Sequence, residues 1–309
     1  MRGAFVKALT ELAANDSRIL LLTGDLGYMA LEPFADKYPE RFFNVGVAEQ
    51  NMVGLATGLA EAGFIPYVYS IVSFAVLRPY EFIRNGPIQH RLPVRIVGVG
   101  GGMEYGHNGL SHYGLEDVAV MRTQPGITVI APADYMQART AVLASWNLPG
   151  PVYYRLGKDD RTTVKGLDGR FKLGRVQQLR DGNDLLIVAM GSVASEAVAA
   201  AETLAATGVS SCVLVVASVV PAPVEDLTTA LRRFPLALTV ETHFPCGGVG
   251  SLVSEVVAER RLGCRVVRCA VNAPLNGLIG SQGYLHHRQG LSQDALVETA
   301  RRELRRGIA

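Results

Sequence analysis

Short apolar runs alternate with longer segments of helical spacing along the first half of the chain. The runs typical of buried strands lie at 19–23, 66–69, 94–99 and 128–130. The segments with helical spacing lie at 4–14, 49–62, 74–89 and 134–145. Strands that alternate with helices build parallel sheets covered on both faces. The pattern therefore predicts a doubly wound α/β domain.

The same pattern restarts after a segment at 156–175 that is rich in Gly, Thr and charged residues and has no apolar period. Strand-like runs follow at 185–190, 210–216, 236–241 and 265–269, with helical segments at 193–206, 224–233 and 247–261. We predict an α/β chain of two doubly wound domains, at 1–160 and 176–309, joined by a linker at 161–175.

Composition narrows the class of protein. The 309 residues are 49% hydrophobic, but no apolar run is long enough for a membrane span, so a large core or a subunit interface is expected. Lys and Arg total 30 against 28 Asp and Glu, which gives no reason to expect nucleic acid as a partner. Cys212, Cys246, Cys264 and Cys269 lack zinc spacing, and the first residues lack a signal-peptide pattern, so a cytoplasmic location is expected.

The most informative charged residue is a glutamate in the segment from Asn44 to Ala60. Glu49 begins a predicted helix that is apolar or small on nearly every face, which predicts a helix buried all round. A carboxylate there gains from the helix dipole, yet it is costly beside apolar surroundings unless it is paired. From these residues alone, Glu49 is either a helix-start carboxylate with no further role or a functional group.

Val47-Ala48-Glu49-Gln50 followed by a small-residue helix resembles the pyrimidine-binding domain of transketolases, deoxyxylulose phosphate synthases and 2-oxo acid dehydrogenase beta subunits. In those families the Glu of this motif bonds a ring nitrogen of the aminopyrimidine of thiamine diphosphate. The resemblance implies that Glu49 activates this cofactor. The glycine-rich stretches 241–250 and 280–284 resemble turns of the transketolase C-terminal domain, which mainly builds the dimer.

Two further positions match the family in order. Phe74, in Ser73-Phe74, occupies the place of the aromatic residue that stacks on the pyrimidine, although a lone Phe is usually a core residue. Asp25, in Thr23-Gly24-Asp25-Leu26-Gly27, resembles an Asp that lies near the cofactor, although a strand-to-helix turn favours Gly and Asp for backbone reasons. The resemblance implies that both bind the cofactor.

Four other residues are candidates for substrate binding by the same resemblance. His112, at the end of the segment 106–112, matches a His that faces the substrate and would polarise or protonate substrate oxygens. Asn108 stands where transketolases often place an Asp that touches a substrate hydroxyl. Arg155 matches the region of an anion-binding Arg, and Arg2 corresponds loosely to another.

The chain departs from the full-length family in two respects. The diphosphate-binding signature, Gly-Asp-Gly with an Asn about 30 residues later, serves Mg²⁺ and is missing; no metal ligand is assigned to this chain. The glycine run 97–102 fills a stretch where relatives carry a basic phosphate ligand, and it lacks the order of a dinucleotide-binding loop. A partner chain must therefore supply the Mg²⁺ ligands.

These features predict the C-terminal (beta) subunit of a split transketolase, which passes a two-carbon ketol unit from a ketose to an aldehyde. It would act only with an N-terminal subunit that carries the diphosphate-binding domain, in a dimer of two-chain pairs. Two alternatives stay open. One is a 2-oxo acid dehydrogenase beta-type subunit, or a hybrid that passes the two-carbon unit to a lipoyl or carrier-protein thiol. The other is a non-catalytic assembly subunit.

Overall fold

The computed structural model describes residues 1–272 and 274–306. The strands are β1 (Ile19–Thr23), β2 (Phe42–Asn44), β3 (Ile65–Ile71), β4 (Arg95–Val99), β5 (Thr128–Ile130), β6 (Val152–Leu156), β7 (Gln177–Arg180), β8 (Leu185–Met190), β9 (Ser211–Val215), β10 (Ser218–Val220), β11 (Leu236–Glu241) and β12 (Arg265–Cys269). The helices are α1 (Arg2–Asn15), α2 (Glu32–Ala35), α3 (Glu49–Glu61), α4 (Val72–Val76), α5 (Tyr80–Ile83), α6 (Asp117–Arg122), α7 (Tyr135–Ser145), α8 (Ala194–Ala205), α9 (Val224–Leu231), α10 (Val249–Glu259), α11 (Gln282–Arg288) and α12 (Gln293–Arg306).

The first sheet has seven strands in the order β10-β5-β6-β4-β3-β1-β2. Its strands are parallel except β10, which pairs antiparallel with β5. The central strands β1, β3, β4 and β6 are buried at every position, as expected for a sheet covered by helices on both faces. Strand β10 comes from the second half of the chain, so that half completes the first sheet.

The second sheet has five strands in the order β12-β11-β8-β9-β7. Only the edge strand β7 runs antiparallel to its neighbour. The predicted fold class, two doubly wound and mostly parallel α/β units, is confirmed. The predicted extent of the second domain reaches residue 309, and positions 273 and 307–309 lie outside the described residues.

One hydrophobic core connects the two sheets. Leu20 and Tyr153 from the first sheet belong to the same buried cluster as Leu186 and Val253 from the second half. Each fully buried side chain of this size contributes roughly 1.5–3 kcal/mol through removal of apolar surface from water. The two halves therefore stabilise each other through packing as well as through β10.

The segment between β6 and β7 contains no helix or strand. Leu156 belongs to β6 and not to this segment. Val164 and Leu167 are buried in a hydrophobic cluster on the second sheet. Phe171 and Leu173 pack against a separate cluster on the first sheet. The segment therefore packs against both units.

The helix predicted over 74–89 is wrong as a single element. Helix α4 ends at Val76, α5 begins at Tyr80, and a π-helical turn covers Arg84–Ile88. Pro79 lacks an amide hydrogen and its ring clashes with the preceding turn of a helix, so a continuous helix cannot pass through it. The interruption places Arg78 in a turn beside the carboxyl edge of the sheet.

Helix α3 also differs from the prediction. Met52, Val53, Ala56 and Ala60 are buried, but Leu55 is 43% exposed, so the helix is not buried all round within this chain. The exposed residues of α3 are Gln50, Asn51, Gly54, Leu55, Gly58 and Glu61. No helix among residues 1–272 and 274–306 has the length and apolar character required to span a membrane.

Candidate cofactor and substrate site

The parallel strands β1, β3, β4 and β6 are neighbours and end at the same edge of the first sheet. Ligands of doubly wound proteins bind in the crevice outside this carboxyl edge. The segments after β1, β3 and β4 carry Asp25, Phe74 and His112, and Glu49 starts the helix beside them. The fold therefore brings residues from distant parts of the sequence to one edge.

Glu49 is the first residue of α3, and its side chain is 1% exposed. The Ser70 hydroxyl at the end of β3 donates to Glu49 Oε1 at 2.9 Å. Arg78 Nη1 donates to Glu49 Oε2, also at 2.9 Å. A buried carboxylate is tolerated when it is paired and hydrogen-bonded, and both conditions are met here.

Phe74 lies in α4 with its ring half-buried. The centre of the Arg78 guanidinium lies 3.9 Å from the centroid of this ring, in the geometry of a cation–π contact. The His112 ring approaches the Phe74 ring edge-on, with centroids 5.1 Å apart. Glu49, Phe74 and His112, which the sequence predicted as one site, are connected through these contacts.

His112 ends a short 3-10 turn, and its Nδ1 lies 2.9 Å from the Ser111 hydroxyl. Burial and the nearby Arg78 charge lower the pKa of His112 below its usual value. The imidazole is therefore neutral at pH 7, with one nitrogen able to donate and the other able to accept a hydrogen bond. Tyr105 flanks it, with ring centroids 6.1 Å apart.

Asp25 lies on an exposed turn with φ +59°. It accepts hydrogen bonds from Asn44 Nδ2 at 2.8 Å and from the Tyr28 hydroxyl at 3.0 Å, and these bonds lower its pKa. The preceding residue, Gly24, lies against the carboxylate of Glu49, since a Cβ there would be 3.4 Å from Oε1. Asp25 is thus held beside the site, on its solvent side.

Arg155 does not occupy a position from which it could bind a substrate anion. Its side chain is 5% exposed, and its Nε donates to Asp117 Oδ2 at 2.9 Å. Its Nη2 donates to the carbonyl oxygens of Gly114 at 2.9 Å and Thr242 at 3.0 Å. Arg155 is a buried residue of β6, and it connects the loop that carries His112 to the second half of the chain.

Arg2 and Asn108 lie at the outer rim of the site. Asn108 is exposed in the 3-10 turn that precedes His112. Arg2 Nε donates to the carbonyl oxygen of Lys158 at 3.3 Å. Both Arg2 and Lys158 line an open cavity of about 460 Å³, whose remaining walls include Glu104 and Gln282.

Sequence reasoning missed three residues of the site. Ser70 and Arg78 bind the carboxylate of Glu49, and Lys158 Nζ lies 4.6 Å from the centroid of the Tyr105 ring. Arg78 follows Phe74 by four residues, the spacing at which side chains meet on a helix, and this was an available signal. Lys158 lies two residues after the end of β6 at the carboxyl edge, but β6 was not predicted as a strand.

The described residues, 1–272 and 274–306, contain no group of three or more His, Cys, Asp or Glu side chains arranged to hold a metal ion. The four cysteines are free thiols, and only Cys246 is exposed. Burial raises the pKa of Cys264 to about 11 and that of Cys269 to about 12, which keeps both in the unreactive thiol form.

The residues around Glu49 fit the aminopyrimidine half of thiamine diphosphate. A flat, aromatic, hydrogen-bonding heterocycle needs a ring to stack on and a carboxylate at its edge. The face of Phe74 and the carboxylate of Glu49 already hold a flat cationic group in this arrangement, the guanidinium of Arg78. Gly24 keeps the approach to the carboxylate free of a side chain.

Comparisons with known proteins agree with this fold. Residues 1–162 match the family described as "Transketolase, pyrimidine binding domain", and residues 174–295 match "Transketolase, C-terminal domain". One of the subunits of an apulose-4-phosphate transketolase from Phocaeicola vulgatus is 34% identical over 97% of this chain and 96% of its own length. "6-deoxy-6-sulfo-D-fructose transketolase subunit SqwH" of a Clostridium species is 34% identical, over 97% and 93%.

A solved structure also matches this chain over nearly its whole length. The structure described as "Split gene transketolase, inactive beta4 tetramer" superposes with a TM-score of 0.86 at 36% identity, over 98% of this chain and 97% of that one. Fold and site therefore define a chain with a pyrimidine-binding unit followed by a transketolase C-terminal unit. The chain belongs to the transketolase family, and it is similar from end to end to the separate C-terminal subunits of split transketolases. The family predicted from the Glu49 motif is confirmed.

The buried histidines of the second half make stability depend on pH. His286 is 4% exposed, its Nε2 lies 3.0 Å from the Thr242 hydroxyl, and burial lowers its pKa to about 4. The unfolded chain binds this proton near pH 6.5 and the folded chain only near 4. The part of the stability that depends on neutral His286 is therefore fully present above pH 6.5 and is lost as the pH falls towards 4.

We expect His286→Gln to flatten the fall in the free energy of unfolding between pH 6.5 and 4, by up to about 1.4 kcal/mol per pH unit. Urea unfolding at several pH values measures this slope. The matched control is His287→Gln, an exposed neighbour, which should leave the slope unchanged. Glu241, whose burial raises its pKa to about 7, acts in the opposite direction but equally in all three proteins. Equal slopes for the two variants would contradict the prediction.

Proposed function

We propose that this chain is the C-terminal subunit of a two-chain, thiamine-diphosphate-dependent transketolase. It would transfer a two-carbon ketol unit from a ketose donor to an aldehyde acceptor. The observation that carries the proposal is the group formed by the buried carboxylate of Glu49, the open ring face of Phe74 and the neutral imidazole of His112. The three would supply a proton-transfer group, a stacking surface and a hydrogen-bonding ring to the reaction.

Glu49 and Phe74 would hold the pyrimidine end of the cofactor. When bound, thiamine diphosphate supplies the nucleophilic carbon and the electron sink for breaking and forming the carbon–carbon bond. Glu49 would exchange a proton at its carboxylate with the pyrimidine edge, while Ser70 keeps the carboxylate oriented at 2.9 Å. Phe74 would fix the plane of the ring, and Asp25 would lie beside the cofactor at the end of β1.

His112 would act on the substrate. Because burial and Arg78 keep its imidazole neutral at pH 7, it can donate to one substrate oxygen and accept from another. The Ser111 hydroxyl at Nδ1 sets the orientation of the ring and leaves Nε2 for the substrate. Asn108, exposed on the preceding turn, would contact a substrate hydroxyl through its amide.

Lys158 and Arg2 are better placed than Arg155 to hold an anionic end of the substrate. Both line the open cavity next to Tyr105, and Tyr105 in turn flanks His112. Arg155 would support the reaction only from behind, by holding the loop that carries His112. Arg2 and Lys158 would supply the cationic side chains that the glycine run at 97–102 lacks.

The diphosphate and its Mg²⁺ would be held by a partner subunit. Mg²⁺ on a diphosphate takes oxygen ligands, and no cluster that could hold a metal ion occurs in the described ranges of this chain. Apolar side chains near Glu49 support a partner surface, because Tyr28 is 71%, Met29 96% and Val47 69% exposed. Self-association would then produce a dimer of two-chain pairs. The free thiols fit a cytoplasmic location.

Two alternative functions would give different experimental results. A 2-oxo acid dehydrogenase beta-type subunit or a hybrid would pass its two-carbon unit to a lipoyl or carrier-protein thiol instead of an aldehyde. A non-catalytic assembly subunit would not need Glu49 buried and paired, or a ring face directed to the same place. The geometry at Glu49 favours catalysis over assembly.

The experiment is reconstitution with the N-terminal subunit, identified as a chain that carries Gly-Asp-Gly and a downstream Asn. We expect thiamine diphosphate with Mg²⁺ to bind the pair in a calorimetric titration at least about tenfold more tightly than either chain alone. The pair should transfer a ketol unit from ketoses to free aldehydes. Acylation of a lipoyl domain in place of ketol transfer would contradict the proposal, as would tight cofactor binding by the isolated chain.

A further inference from the structure

Arg78 makes the two contacts that the proposed function assigns to the pyrimidine ring. Its planar guanidinium lies over the Phe74 ring, 3.9 Å from the centroid. The same group donates to Glu49 Oε2 at 2.9 Å. A flat group that stacks on Phe74 and bonds Glu49 through its edge therefore already occupies the place of the heterocycle.

The local sequence fixes Arg78 in this position. Helix α4 ends at Val76 and Pro79 prevents it from continuing, so the Arg78 side chain is carried by a turn instead of a regular helix. Arg78 follows Phe74 by four residues, which brings the two side chains together. On the inner side, Glu49 is buried and needs a partner for its charge.

The guanidinium and a pyrimidine ring cannot occupy this place together. One face of an aromatic ring accommodates one flat group at van der Waals distance. The second carboxylate oxygen of Glu49, Oε1, already accepts from Ser70. A ring that stacks on the face of Phe74 covered by Arg78 must therefore displace the guanidinium, which also breaks the bond from Arg78 to Glu49.

We propose that Arg78 is a stand-in for the pyrimidine ring, which keeps Glu49 paired in the free subunit and must swing out before the cofactor enters. This inference rests on the proposed function. The Arg78 side chain is 44% exposed, so it can leave towards solvent by rotation of its own side chain. The buried carboxylate of Glu49 remains in place and passes from one partner to the other.

The stand-in acts on the rate of cofactor entry. A site that is open for only about one tenth of the time binds its ligand about tenfold more weakly than a permanently open site. The effect falls on association, because Arg78 is absent from the contacts once the cofactor is bound. A residue that held the bound cofactor would instead slow dissociation.

The test compares wild type and Arg78→Gln in the reconstituted pair, with stopped-flow mixing against thiamine diphosphate and Mg²⁺. We expect the association rate constant to rise about tenfold and the dissociation rate constant to stay within about twofold. Arg78→Lys, which keeps the charge but loses the flat stack, should give an intermediate rate. The matched control is Arg84→Gln, an exposed Arg in the following turn, which should bind like wild type.

A second measurement uses the chain without cofactor. Urea unfolding of Arg78→Gln, Glu49→Gln and the double variant gives the coupling between the two side chains. We expect each substitution to change the unfolding equilibrium constant at least about fivefold less in the background of the other than in the wild type. Additive effects would overturn the stand-in, because the pair would then not form in the free subunit.

The outcomes separate this inference from the proposed function. Faster dissociation in Arg78→Gln, or an unchanged association rate, overturns the stand-in while cofactor dependence survives. Absence of cofactor binding by the wild-type pair overturns the proposed function and the stand-in together. Faster entry in Arg78→Gln, with coupling to Glu49 in the free chain, supports both.

Discussion

Replacing Glu49 with glutamine is expected to lower kcat of the reconstituted pair by about 10³-fold, within the range of 10² to 10⁴ for loss of a positioned proton-transfer group. Glutamine keeps the size of the side chain and its bond from Ser70, but it cannot exchange a proton with the cofactor. Initial rates of ketol transfer from a ketose to an aldehyde measure the effect.

The control for this prediction is Glu61→Gln, at the exposed opposite end of α3. It should leave kcat unchanged and shows whether loss of a helix carboxylate matters by itself. The unfolding curve of Glu49→Gln must also be recorded, because Arg78 loses its partner in that variant. A folded Glu49→Gln complex with wild-type turnover would favour the non-catalytic assembly subunit.

Replacing Arg155 with methionine is expected to lower the free energy of unfolding by about 3–5 kcal/mol, because it leaves the buried carboxylate of Asp117 without its cation. Asp117 is 1% exposed, and its other oxygen, Oδ1, has no hydrogen-bond partner among the described residues. The change also removes the bond to Gly114 and the bond to Thr242, and the latter connects the two halves of the chain. Chemical unfolding of the isolated chain measures the loss.

Arg260→Met is the comparison for this loss. Arg260 pairs with Glu225 at 2.7 Å on the surface, where an ion pair contributes about 0–1 kcal/mol. Replacing Asp117 with leucine in the Arg155→Met background should recover part of the loss, since no buried charge remains. A loss below about 1 kcal/mol in Arg155→Met would show that the pair does not hold the two halves together.

The sequence predicted the elements whose signal is local. The runs at 19–23 and 185–190 are continuous and apolar, and central parallel strands need this pattern because both faces are covered. The Glu49 motif led to the family through its resemblance to the pyrimidine-binding domain, whereas the residues alone left the role of Glu49 open. Phe74 and His112 followed from their order along the chain.

The remaining features depend on contacts between distant residues. Strand β10 has three residues, and nothing in its sequence indicates that it pairs with β5 instead of a strand of its own half. Arg155 stands in a strand with two tyrosines, and only the fold shows that Asp117 neutralises it there. The predicted substrate role of Arg155 was drawn from its place in the chain. Its burial within the sheet indicates a structural role instead.

Strand β10 also determines where this chain can be divided. A fragment that ends in the segment between β6 and β7 would lack residues 218–220, and the backbone of β5 would face water as an open edge. Open edges pair with other chains and promote aggregation. The first half is therefore not an autonomous folding unit, and a fragment meant to fold alone must carry this strand along or supply another.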